Sequence, residues 1–157
     1  MDTLVADDLR TLWFLNTRVT IRVSSRDGTD DISVLEHWAA LGDSPPLHIH
    51  HDEDEVFHVL EGEVTFQVRG MSHRTRAGDI VIAPKGLPHT YRVESREGAR
   101  MLTVTRGRFE SFVRALGRPA ETQGMPVPSG PPTREQAEAL ARTCLEFGIE
   151  LVGPPLS

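Results

Sequence analysis

From Leu12 to about Val104 the sequence is cut into strand-sized runs by turn-forming residues, and this punctuation restricts the fold more than any other feature. The runs are Leu12–Leu15, Arg18–Val23, Ile32–Trp38, Pro46–His50, Glu55–Leu60, Val64–Val68, Ser72–Arg76, Ile80–Ala83, His89–Val93 and Met101–Thr105. They are rich in Val, Ile, Phe, Thr and Leu, which suit a pleated, half-buried surface. Between them stand Asp27-Gly28, Gly42-Asp43, Glu61-Gly62, Arg69-Gly70, Gly78-Asp79 and Lys85-Gly86, where glycine supplies the backbone angles of tight connections. Many hairpins at even spacing predict an antiparallel all-β sandwich or barrel.

After Arg108 the pattern changes to helical spacing. Phe109 to Leu116 reads as a short helix ended by Gly117 and Pro119. Pro126, Pro128, Pro131 and Pro132 then deny regular hydrogen bonding and imply a stiff surface link. A second helix starts at Thr133, which can cap it while Gln136 reaches back. Its apolar stripe Ala137, Leu140, Ala141, Cys144 and Leu145 runs up to a stop at Gly148, so this helix is expected to pack as a lid. One domain over residues 1–157 follows, with a barrel core at about 12–105 and a helical tail at about 108–157.

Charge and cysteine usage narrow the setting. With 23 acidic against 17 basic residues, a formal −6, the chain lacks the basic face that phosphate backbones need, and no nucleic-acid partner is expected. The basic clusters at 69–76 and 106–118 are flanked by acids and read as solvated surface. The N-terminus has early acids and no apolar run long enough for a signal peptide or membrane span. The single cysteine, Cys144, excludes an intrachain disulfide and suits a reducing compartment. A cytoplasmic protein without a membrane partner is the expectation.

Chemistry concentrates in two stretches. In the first, His48 and His50 flank Ile49 on a strand, so both imidazoles point the same way. Pro45 and Pro46 stiffen the approach, and Glu55 opens an apolar strand, where an inward carboxylate is costly to bury without a cation. The second stretch, Gly78 to His89, is a strand, a turn built on Pro84 and Gly86, and a strand headed by a third imidazole, His89. Three histidines and one carboxylate converge.

These stretches are similar to the two motifs of the cupin superfamily. The first, G-x5-H-x-H-x4-E-x6-G, is met at Gly42, His48, His50, Glu55 and Gly62; the second, G-x5-P-x-G-x2-H-x3-N, at Gly78, Pro84, Gly86 and His89, with Val93 in place of the final asparagine. The resemblance covers roughly residues 40 to 105. It implies a double-stranded β-helix, the jelly-roll barrel of cupins, with short C-terminal helices here, and it assigns His48, His50, Glu55 and His89 as metal ligands. In size, in the run from Pro45 to His51 and in the tail ending Gly153-Pro154-Pro155-Leu156, the chain resembles bacterial single-domain quercetinase-like dioxygenases.

His37, His51, His58 and His73 are read as surface positions or as supports behind the ligands, and Asp52, Glu53 and Asp54 as a solvated rim. Cys144 is expected buried and inert. Phe57, Val59, Phe66, Tyr91 and Met101 are expected to line a substrate pocket, because inward Glu55 and His89 turn Phe57, Val59 and Tyr91 inward as well. Three neutral imidazoles and one carboxylate leave a divalent ion with open positions, which suits Fe, Ni, Mn or Co better than closed structural Zn, although Zn fits the donors. The expected activity is a metal-dependent dioxygenase using dioxygen on a small enolisable aromatic, with Glu55 as catalytic proton acceptor. A non-catalytic ligand-binding or regulatory module is the alternative, followed by an isomerase or decarboxylase. A homodimer is expected from sheet edges before residue 40.

Overall fold

The computed structural model describes residues 10–157. Ten strands carry the first two thirds: β1 (Thr11–Phe14), β2 (Thr17–Val23), β3 (Ser33–Ala39), β4 (His48–His50), β5 (Glu55–Glu61), β6 (Glu63–Val68), β7 (Met71–Arg76), β8 (Ile80–Ala83), β9 (His89–Val93) and β10 (Ala99–Thr105). They are followed by α1 (Phe109–Leu116), β11 (Arg118–Pro119), α2 (Arg134–Glu146) and β12 (Ile149–Leu151). All pairings are antiparallel, in a seven-stranded sheet β11-β1-β2-β3-β10-β5-β8 and a five-stranded sheet β12-β4-β9-β6-β7. The fold is a jelly roll of two facing sheets with two short helices, as the strand pattern predicts.

Two departures bear on the site. Pairing in the fourth run begins only at His48, since Pro45 and Pro46 cannot donate to a ladder. The tail is also more than helices: β11 adds to β1, and β12 adds to β4. The C-terminal segment therefore becomes an integral strand of the five-stranded sheet.

The interior divides into two apolar clusters. One gathers Ala39, Phe57, Val59, Val64, Phe66, Val93 and Met101 between the sheets. The other joins Leu12, Phe14, Val19, Ile21 and Leu35 to the helical tail through Phe109, Phe112, Val113, Cys144 and Ile149. Fully burying side chains of this size stabilises by roughly 1.5–3 kcal/mol each, so α1 is held mainly by its phenylalanines. Its Glu110, buried, accepts from Ser24 Oγ at 2.9 Å and Ser25 N at 2.8 Å, which fixes the helix across the end of β2.

The second helix starts as the sequence predicts, with a reciprocal capping box between Thr133 and Gln136. Its buried stripe differs from the expected one: Leu140, Cys144 and Phe147 face the core, whereas Ala137 is exposed and Leu145 is 60% exposed. The short helix turns at Phe147, and that ring takes the place expected of Leu145 by packing 5.7 Å from Phe112. Cys144 is buried as expected, and burial pushes its thiol up to about 11. No helix among the described residues is long and apolar enough to cross a membrane.

Candidate metal centre

Backbone pairing brings the two chemical stretches together. His48 on β4 is the direct cross-strand partner of His89 on β9, and their ring centroids lie 4.4 Å apart. Glu55 reaches them from β5, in the opposite sheet. One ligand atom from each of His48, His50, Glu55 and His89 lies within 4.8 Å of all the others. Glu55 Oε2 is 2.9 Å from His89 Nε2 and 3.1 Å from His50 Nε2. His50, Glu55 and His89 are buried, and half-buried His48 forms the side nearest solvent.

The supports behind these atoms come from three segments. Nδ1–H of His48 donates to the carbonyl of Pro46 at 2.7 Å, which leaves Nε2 as the free donor of a lone pair. The turn of the second stretch is tied to the first, because Gly86 N donates to His50 O at 2.8 Å and Lys85 N to Asp54 Oδ1 at 2.9 Å. The C-terminal strand clamps the other edge, with Ile149 opposite His50 and Leu151 opposite His48. A Cβ on Gly62, which has φ +85°, would collide with Gly98 O and lie 2.5 Å from Ser95 Oγ, so this motif position tolerates only glycine.

Val93, the departure from the second motif, is accommodated. Its side chain is wholly buried in the apolar cluster, and its backbone bonds both ways with the first stretch, Val93 N to Asp43 O at 3.0 Å and Gly42 N to Val93 O at 2.9 Å. The loop is laced by main chain, where an asparagine side chain is not needed. Burial of the adjoining Asp43 raises its carboxyl to about 6.

Electrostatics favour a cation at the convergence point. Burial pushes Glu55 up, but His50 and His89 outweigh it and hold the carboxyl at about 2. Burial, with His89 and His50 beside it, pushes His48 down to about 3, so it is a neutral nitrogen donor. For His50 burial is opposed and overcome by Glu55 and Glu53, and its value rises. A buried carboxylate facing three ring nitrogens has only shared protons to compensate it; a divalent ion with N and O donors satisfies all four at once. The donor set fits such an ion.

One residue near the centre differs from the sequence expectation. Glu53 is not part of a solvated rim: it is 5% exposed, with Oε1 3.4 Å from His50 Nδ1. Asp52 and Asp54 do sit at the surface, Asp52 bound to Arg108 at 2.6 Å. His37 projects inward from β3, stacked at 6.4 Å on Phe109, which in turn lies 5.5 Å from His50. Its Nε2 is buried without a hydrogen-bond partner among the described residues, and burial lowers its pKa to about 4. His51 and His73 are exposed and His58 is half-buried on the other face of β5. The only hint of these inward positions is strand alternation, which needs a register before it points anywhere.

Of the five residues expected along a pocket, Phe57, Val59, Phe66 and Met101 pack into the core beneath the centre and keep no more than 2% exposure. Tyr91 is half-buried against them, its ring 6.1 Å from Phe57, and burial raises its phenol well above the usual value. They make a closed apolar floor.

Comparison with known proteins places this geometry. Residues 35–105 match the family described as Cupin domain. Over 100 residues, 64% of this chain, it is 27% identical to quercetin 2,3-dioxygenase of Bacillus subtilis, of which the match spans 30%. Among solved structures it is similar to KdgF from Halomonas sp., with a TM-score of 0.56 at 15% identity over 71% of this chain and 98% of that one. A predicted oxalate decarboxylase from Thermotoga maritima gives a TM-score of 0.57 at 18% identity, over 67% and 98%. The polyketide cyclase RemF from Streptomyces resistomycificus gives 0.53 at 21%, over 68% and 79%. At these identities the structural likeness is one of fold.

Proposed function

We propose that this chain, a member of the cupin superfamily, holds a divalent transition metal at His48, His50, Glu55 and His89 and with it oxygenates a small enolisable aromatic. The observation that carries this reading is the convergence of three imidazole nitrogens and one carboxylate oxygen within 4.8 Å from both sheets. Likeness to a quercetin 2,3-dioxygenase supports the reaction class. When bound, an ion of Fe, Ni, Mn or Co would supply Lewis acidity toward an organic anion and redox capacity toward dioxygen; Zn fits the same donors without redox chemistry.

The protein's own groups do the rest. Glu55, ionised and acceptor-only, takes the enol or phenol proton as the substrate approaches. The Pro46 carbonyl keeps the His48 ring in one tautomer, and Glu53 steadies His50 from behind. Phe57, Val59, Phe66 and Met101 keep water from below, and Tyr91 forms the polar edge of that floor. The closed floor also favours a second reading, a module that binds a small ligand without turnover. Oxygen uptake after reconstitution with each metal, using quercetin and smaller enolic aromatics, separates the two. Uptake matched by substrate loss and abolished in Glu55→Gln supports a dioxygenase. Ligand binding with no uptake under any metal contradicts it and leaves the binding module.

A further inference from the structure

The outward face of the seven-stranded sheet carries a second constellation. One row of cross-strand neighbours reads Arg118 on β11, Trp13 on β1, Arg18 on β2, Trp38 on β3 and Arg100 on β10, with Glu61 following on β5 past a bulge. Both tryptophans of the chain thus alternate with three arginines. At one end the arrangement is structural: Arg118 lies 5.5 Å over Trp13, and Trp13 Nε1 donates to Gly124 O at 3.0 Å, pinning the 120–124 loop over the sheet. Under that loop are two adjoining cavities, of about 550 and 280 Å³, with Arg18 and Gln123 in the walls of both. Trp38, Glu36, Arg22 and Arg100 line the smaller.

The charges there are unequally matched. Glu36 takes Arg22 at 2.5 Å and Arg100 at 3.6 Å, and Glu61 takes Arg100 at 3.0 Å. Arg10, at the far end of the larger cavity, pairs with Asp27 at 3.0 Å, and Glu121 is the one acid in that cavity's wall. Among the described residues Arg18, at the junction, has no ion pair and Arg100 Nε is buried without a hydrogen-bond partner. A ladder that served only to stiffen the sheet would not leave a whole guanidinium fork facing a cavity beside an indole. This is unusual in a chain of charge −6, where acids are abundant.

We propose that this groove binds a small planar organic anion, its carboxylate or sulfonate paired with the Arg18 fork and its ring laid against Trp38. The site is separate from the metal centre: Glu61 stands six residues beyond Glu55 on β5, about 20 Å along the strand.

Titration with 1-naphthoate, followed by tryptophan emission and calorimetry in 0.15 M salt, tests this. Saturable binding is expected, at least tenfold tighter than for neutral 1-naphthamide. It is expected to weaken at least tenfold in Arg18→Gln and to lose most of its quenching in Trp38→Phe. Arg74→Gln, which removes the same charge from a remote strand, leaves it unchanged, as does chelator treatment, which separates this groove from the metal centre. No saturable binding, equal loss in Arg74→Gln, or loss on chelation overturns the proposal. So does a sedimentation result in which a second copy covers this face and naphthoate cannot compete.

Discussion

The interior and the outer face of the jelly roll carry key groups of opposite charge, Glu55 inside and Arg18 outside. Inside, Glu55 and three imidazoles from two sheets converge with one nitrogen of each ring near a common point, a set completed by a cation. Outside, Arg18 faces two joined cavities with no acid paired to it among the described residues, a set completed by an anion. The contrast lies also in support. The inner groups are braced by carbonyl, carboxylate and backbone from three segments, so that removing one strands the others in an apolar interior; the outer groups stand on a half-solvated sheet. Burial therefore raises the energetic consequence of any change inside and lowers it outside.

The largest effect is expected at Glu55. Glu55→Gln replaces the one anionic donor by a neutral amide and should weaken metal binding by more than the roughly hundredfold typical of losing an outer support, as read by competition against a chromophoric chelator. Next comes His37, whose isolated nitrogen makes folding pH-dependent. Its pKa is about 4 when folded against 6.5 ordinarily, so below pH 6.5 the unfolded chain takes up a proton that the folded one refuses. Stability is thus lost as pH falls from 6.5 toward 4, by about 3 kcal/mol in all. Asp43, raised to about 6, acts in the opposite sense over much of that window. The comparison of parent with His37→Phe cancels its contribution: the variant should gain on the parent steadily as urea unfolding is repeated from pH 7 down to 4.5.

A smaller effect is expected from Glu53→Gln, which weakens the grip on His50 Nδ1 and should cost about 10–100-fold in metal affinity without unfolding the protein. Smallest is Arg18→Gln, which should change folding stability by less than about 0.5 kcal/mol in the same urea assay, since it removes no ion pair. A large loss there would collapse the contrast between the faces, because it would make Arg18 a structural residue.

Much of this was legible in the sequence, for identifiable reasons. The strands β8 and β9 and the helix α1 fall at their expected limits because glycine, proline and alternation bound them on both sides. The four converging residues were legible because the spacing His-x-His is geometry in itself on a strand, and because a second spaced motif carries His89. Other features depended on pairing. Ile149–Leu151 is too short to announce a strand, yet it flanks the His48–His50 edge. Glu53 sits in a run of acids that reads as solvated, and only the fold shows it turned under His50. The Arg–Trp row joins three early strands to β10 and β11 roughly 60 to 100 residues later, so it exists only once the register is known.

The central claim is that the inner set is a metal site, and elemental analysis of protein purified without added metal tests it most directly, with His50→Ala and Glu55→Ala alongside. The account predicts close to one equivalent of a divalent transition metal in the parent and little in either variant. A folded parent that holds no metal even after reconstitution, or variants that retain it in full, would contradict the account.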